Sequence, residues 1–278
     1  MPDVVFELDR VDFAYEGGQP ALKDVSLSIC AGERIVVLGS NGSGKSTLLK
    51  LLDGLYYATA GSLKAFGQPL TEAAFTDDAF NFAFRRRVGL VFQDTDVQLF
   101  NASVFDEVAF APLQLDLERA DVITRVEAAL RDLRIDGLRE RPPHQLSGGE
   151  KRRVALASVL SLGPEVWLLD EPTTGLDPRS QSWLVDFICA QGAAGRTVVT
   201  ATHDLTIVDT IADRVLVFGE DHHLAAVGTP AEILGNAELL LACNLTHEHW
   251  HRHPGQREGH RHLHVHGAPH NHDHERNG

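Results

Sequence analysis

The stretch Gly39-Ser40-Asn41-Gly42-Ser43-Gly44-Lys45-Ser46-Thr47 contains, in its first eight residues, the pattern G-x-x-x-x-G-K-[ST] without a mismatch, and these residue types at this spacing bind nucleotide phosphates. The backbone has to curl round a triphosphate with its N–H groups pointing inward, which side chains at Gly39, Gly42 and Gly44 would obstruct. Lys45 is spaced to reach the β- and γ-phosphates and Ser46 to ligate Mg²⁺. By itself the loop does not separate a kinase from a GTPase or a transporter motor, and a Gly/Ser turn with a stray lysine is the bland alternative.

The elements that must hold this loop are legible on both sides of it. Arg34-Ile35-Val36-Val37-Leu38 is a short apolar run of strand type and Leu48-Leu49-Lys50-Leu51-Leu52 is good helix material. A helix starting near Lys45 would add unpaired N–H groups and the positive end of its dipole to the phosphate site.

Four further groups carry chemistry-bearing residues. Val166 to Leu169 is an apolar strand that runs into Asp170, Glu171 and Pro172; desolvating two acids is costly unless a cation or a reacting water uses them, although either acid alone could cap the next helix. Ser147-Gly148-Gly149-Glu150 reads as a capping box at a helix start. Two glycines in a first helical turn weaken it, which implies close approach to that backbone. Gln93 closes the strand Val88 to Phe92, and His203 follows the strand Thr197 to Ala201. Taken singly, both are ordinary residues at strand ends, as Tyr15 is at the end of the β-rich segment that starts at Val4.

The 278 residues carry a formal net charge of -14 and a sequence pI near 5.4, which argues against nucleic acid as a partner because that requires a positive footprint. No apolar run approaches the length of a membrane span, and Met-Pro-Asp lacks the regions of a signal peptide, so a cytosolic chain is expected. Cys30, Cys189 and Cys243 stand far apart, as reduced thiols do. The pattern divides the chain into residues 1–93, a β subdomain with the phosphate-loop part of the core; 94–162, helical; 163–228, the rest of the core with strands at Val166 to Asp170, Thr197 to Ala201 and Arg214 to Phe218; 229–246, a helix opened by Thr229-Pro230; and 247–278, a His-rich tail without the aliphatic residues to pack, read as disordered.

Together and in this order, these groups resemble the ATP-binding-cassette ATPases from Val4 to Gly228. The resemblance implies an α/β fold, a P-loop NTPase core of ABC-ATPase type with an antiparallel β subdomain and a helical signature subdomain. It implies ATP and Mg²⁺ as cofactors, Ser46, Gln93 and Asp170 around the metal, Glu171 as general base, and His203 on the γ-phosphate. Tyr15 would stack on adenine, or else simply fill the strand. Ser147 to Glu150 would act as the signature motif, with Glu150 where glutamine is commoner, and Asp177 as part of the D-loop. Two copies would then meet head to tail, each ATP lying between residues 39–47 of one and 147–150 of the other.

Val91 to Phe100 with Val104 to Leu113 looks like the ATPase subunits of energy-coupling-factor importers. That resemblance implies attachment to the cytoplasmic face of the membrane through a transmembrane scaffold and a substrate-binding membrane subunit. Eleven of the fifteen histidines, His247, His249, His251, His253, His260, His262, His264, His266, His270, His272 and His274, lie in the tail, where neutral imidazoles suit Co²⁺, Ni²⁺, Zn²⁺ or Cu²⁺. A low-complexity tail that binds metal adventitiously is the other reading. Similarity to cobalt and nickel importers favours those two cargoes, with cobalt ahead; the alternative is another ABC importer whose tail is a metal store or chaperone.

Overall fold

The computed structural model describes residues 3–115, 117–251 and 260–265, with side chains as far as Thr246. Its strands are β1 (Val4–Ala14), β2 (Pro20–Cys30), β3 (Arg34–Leu38), β4 (Ala60–Ala65), β5 (Gln68–Pro69), β6 (Val88–Val91), β7 (Val166–Asp170), β8 (Thr197–Thr202), β9 (Arg214–Phe218), β10 (Leu224–Gly228), β11 (Thr246–His251) and β12 (His260–Val265).

Five apolar strands form the parallel part of a six-stranded sheet in the order β10-β9-β3-β8-β7-β6, with β10 antiparallel at one edge. Parallel strands are covered on both faces, and alternate residues point to opposite faces. Accordingly Val36, Leu38, Trp167 and Leu169 enter one core while Ile35, Val37, Val166 and Leu168 enter the other. The first core is closed by the helices Val104–Gln114, Arg119–Asp132, Gly148–Leu160 and Pro178–Ala193. The second is closed by the helix Lys45–Leu52 and by an antiparallel sheet in the order β2-β1-β4-β5.

The strand order matters more than the strands themselves. Because β3 lies between β8 and β9, with β7 beside β8, the C-terminal ends of β3, β7 and β8 emerge at one edge, the place where open α/β sheets bind ligands. Val4–Ala14 is one strand, whose irregular pairing with β2 includes a left-handed Arg10 at φ 47. The expected helix over 229–246 is two short helices, Pro230–Leu234 and Ala237–Ala242, because the chain breaks at Gly235 and the Asn236 side chain caps the second by accepting from Leu239 N at 3.0 Å. The tail, expected to be disordered, contains the antiparallel pair β11 and β12. His253, His266, His270, His272 and His274 lie outside the described residues.

Candidate active site

The loop after β3 closes on itself. A Cβ at Gly39 would lie 2.2 Å from Ser43 Oγ, and one at Gly44, where φ is 110°, would lie 2.2 Å from the carbonyl oxygen of Ala21, so neither position admits a side chain. Gly44 is also the N-cap of the helix Lys45–Leu52. The Lys45 ammonium donates to the carbonyls of Gly39 at 2.8 Å and Ser40 at 3.1 Å. The hydroxyls of Ser40 and Ser43 are buried and have no partner among the described residues, the arrangement of a cradle shaped for an oxygen-rich ligand.

At the end of β7, Asp170 Oδ1 accepts from Ser46 Oγ at 2.9 Å, and burial pushes the Asp170 carboxyl above its usual range against the effect of that hydrogen bond. These hard oxygen donors match what Mg²⁺ prefers. Glu171 follows with a left-handed backbone, φ 42, and its side chain is buried. Its Oε2 accepts from Nδ1–H of His203 at 2.9 Å, since a carboxylate oxygen can only accept. Its Oε1 lies 3.5 Å from Lys45 Nζ and takes no hydrogen bond. Tyr15, Asn41, Gly42, Gly44, Lys45, Ser46, Thr47, Gln93 and Glu171 all line one cleft of about 660 Å³. Tyr15 is part-exposed on its wall, tied to Thr47 Oγ1 at 2.7 Å and set edge-on to Phe13 and Tyr56.

Residues 22–174 match the family model described as "ABC transporter". The chain belongs to that family. It is an ATPase of the ABC transporter type. It is 52% identical over 243 residues to the nickel import ATP-binding protein NikO of Rhodobacter capsulatus, covering 86% of this chain and 95% of that one. It superposes with a TM-score of 0.74 and 35% identity on CbiO1 of Clostridium perfringens, part of the ABC transporter complex CbiONQ, over 87% of this chain and 95% of that one. A dimeric post-hydrolysis structure of the ATP-binding cassette MJ0796 with ADP and Pi gives a TM-score of 0.73 at 25% identity, over 81% and 98% of the two chains.

In this ABC ATPase the residues expected to act as the signature motif do not line the phosphate-loop cleft. Ser147, Gly149, Glu150 and Asp177 line a different one. Ser147 and Glu150 form the expected capping box, with Glu150 Oε2 accepting from Ser147 N at 2.8 Å, which holds its carboxyl below the usual range. Asp177 caps the helix Pro178–Ala193, accepting from Arg179 N and Ser180 N. A Cβ at Gly148 would meet nothing within 4 Å, so nothing among the described residues requires glycine there.

Three residues of the ABC ATPase escaped the sequence reading. Arg152, four-hundredths exposed on the signature helix, donates to the carbonyls of Phe92 at 2.7 Å and Gln93 at 2.8 Å, tying the end of β6 to that helix. His222, in a left-handed turn at φ 69, lines the phosphate-loop cleft with Tyr15, and Gln19 joins it. Packing between segments distant in sequence brings in Arg152 and His222, whereas Gln19 is held by a local turn in which its carbonyl accepts from Tyr15 N at 3.0 Å. The stretch after Gln93 builds a second feature, a groove of about 570 Å³ lined by Leu55, Phe82, Phe92, Phe100 and Phe110. Buried Glu107 holds its rim, accepting from the backbone N–H of Phe100 and of Asn101 at 2.8 Å each. Gln98 Oε1 accepts from Phe92 N at 3.2 Å. No helix among the described residues is long and apolar enough to cross a membrane.

Proposed function

We propose that this ABC ATPase is the energy-supplying subunit of an energy-coupling-factor importer that brings a transition-metal cation, cobalt or nickel, across the cytoplasmic membrane. The observation that carries the ATP half of this reading is the separation of Lys45, Ser46, Thr47, Gln93 and Glu171, which line the phosphate-loop cleft, from Ser147, Gly149 and Glu150, which line another cleft of the same chain. Each half is completed by a second copy placed head to tail, and the open space at Gly148 supports an approach from outside the chain.

In this reading Gly39 to Thr47 hold the ATP phosphates and Tyr15 faces the adenine. Mg²⁺ would be held by Ser46 and Asp170 with Gln93 nearby, and it would neutralise charge on the phosphates. Glu171, with an unpartnered buried Oε1, accepts the proton of the attacking water, while His203 holds the other carboxylate oxygen and reaches toward the γ-phosphate. Such positioning needs no movement of the groups at the moment of reaction. Loss of the γ-phosphate removes the bridge between the copies and lets the dimer open.

The apolar groove supports the membrane half. Phe100 is 65% and Phe110 38% exposed, packed edge to face at 5.0 Å, and apolar surface gathered in a concave site is where a partner helix docks. A transmembrane scaffold helix there would hold the chain at the cytoplasmic face of the membrane. The cargo is supported by the likeness to NikO and CbiO1 and by the histidine-rich tail. The test is copurification with small hydrophobic membrane subunits followed by uptake of Co²⁺ and Ni²⁺ into vesicles driven by internal ATP. Uptake of either ion that vanishes with Glu171→Gln is the expected result. Copurified subunits that transport neither ion would overturn the cargo.

A further inference from the structure

On the reading of the phosphate-loop cleft as the ATP site, we infer that His222 is a further nucleotide-binding residue of this ABC ATPase, holding the sugar by donating its Nε2–H to a ribose hydroxyl.

His222 stands in the turn between β9 and β10, and that turn is fastened on two sides. Phe218, the last residue of β9, is fully buried, and its carbonyl oxygen would lie 3.1 Å from a Cβ at Gly39, so the turn departs directly beside the phosphate loop. The His222 N–H donates to the carbonyl of Gly219 at 3.1 Å, and the His222 carbonyl accepts from Lys23 N at 3.1 Å. Lys23 follows Ala21 by two residues on β2, and Ala21 lines the cleft with its carbonyl oxygen against Gly44. His222 is thereby pinned across the segment that joins Tyr15, Gln19 and Pro20 to the loop, and it lines the same cleft as they do. Its backbone is left-handed at φ 69, a conformation that a residue other than glycine keeps only where its surroundings over-determine it, as they do at ligand clamps.

The two ring nitrogens stand in different surroundings. Nδ1 is buried and has no partner among the described residues. An N–H enclosed without an acceptor is costly, so the ring proton belongs on Nε2. Nε2 is neither enclosed nor hydrogen-bonded among the described residues, which leaves it as a donor to whatever fills the cleft. In the ATP reading the phosphate oxygens are served by Lys45, Ser46 and the loop N–H groups, and the base by the aromatic face of Tyr15. Between those two ends a nucleotide presents its sugar, whose hydroxyls accept hydrogen bonds, and His222 is fixed across the segment that joins the same two ends.

The test uses ADP, 2′-deoxy-ADP and 3′-deoxy-ADP, which the full-length protein does not hydrolyse, with affinities read by calorimetry. His222→Gly and His222→Asn both suit a left-handed turn and both withdraw the Nε2–H. The wild type should bind ADP about twofold to tenfold more tightly than one of the two deoxy analogues, the worth of one hydrogen bond between uncharged groups. Each variant should weaken ADP by the same factor and leave that analogue unchanged, because both changes delete one contact. Variants that weaken ADP and both analogues equally, or that weaken none of them, would overturn the inference. Lys45→Ala tests the cleft separately. If it abolishes ADP binding while His222→Gly leaves the discrimination intact, the cleft holds the nucleotide and His222 is not its sugar contact. ADP binding undiminished by Lys45→Ala would remove the nucleotide from this cleft, and His222 with it.

Discussion

Glu171 and His203, 32 residues apart in the chain, meet through one hydrogen bond of 2.9 Å between Oε2 and Nδ1, which leaves the other carboxylate oxygen free toward the phosphate loop. A base held this way should be indispensable for turnover and dispensable for binding. We expect Glu171→Gln to retain ATP within a few-fold in affinity and to lose about 10²- to 10⁴-fold in kcat, the range for general-base catalysis. Single-turnover hydrolysis beside an equilibrium nucleotide-binding assay reads both. Unchanged turnover would remove Glu171 from the role.

Asp170 is only 5% exposed, and burial raises its carboxyl pKa. For an acid this means that the ionised form is disfavoured in the folded protein, so at neutral pH the charge costs stability without bound cation. Asp170→Asn should therefore raise the melting temperature of the nucleotide-free protein by about 2–4 °C for each kcal/mol relieved, while abolishing Mg²⁺-dependent hydrolysis. Calorimetric melting with and without Mg-ATP separates the two effects. A variant that melts lower in the free state would contradict this account.

Asp53 ends the helix Lys45–Leu52 at the groove, where Arg85 Nη1 donates to its Oδ2 at 3.1 Å and to its carbonyl at 2.6 Å. Burial, partly offset by Arg85, raises its pKa from 3.8 to about 7. The folded state thus holds this proton more tightly than the unfolded chain does, and stability falls as pH rises between those two values. We expect wild type to lose stability relative to Asp53→Asn between pH 4 and pH 7, by about 4 kcal/mol at most. Urea unfolding midpoints across that range give the comparison, and parallel curves for the two proteins would refute it.

Gly148 has open space where a side chain would stand. Gly148→Val should leave the stability of the single chain within about 1 kcal/mol, as surface changes do. In the Glu171→Gln background it should abolish the dimer that Mg-ATP induces, as read by light scattering. An intact ATP-dependent dimer would show that the partner does not approach there.

Phe100 and Phe110 are exposed together on the groove. Replacing both by alanine should preserve the fold and the basal ATPase rate of the free chain but prevent copurification with the membrane subunits. Retention of those subunits would move the docking surface elsewhere.

The sequence by itself determined what one short stretch of backbone can do. The glycines at 39, 42 and 44 declare a phosphate loop because they free consecutive N–H groups, and Ser147 with Glu150 declares a cap because the two lie one helical turn apart. The apolar strands are legible for the same reason, since both faces of a parallel sheet are buried. Only the tertiary structure decided which of these pieces meet. The order β9-β3-β8-β7 sets Ser46 against Asp170, 124 residues away, and Glu171 against His203. The same packing ties Arg152 to the end of β6, sets His222 in the phosphate-loop cleft and leaves Ser147, Gly149 and Glu150 in another. The tail divides likewise. Its composition is rich in histidine, but only pairing between the strands sets His247 opposite His264, His249 opposite His262 and His251 opposite His260, because which residues stand opposite one another is a property of register and not of either segment alone.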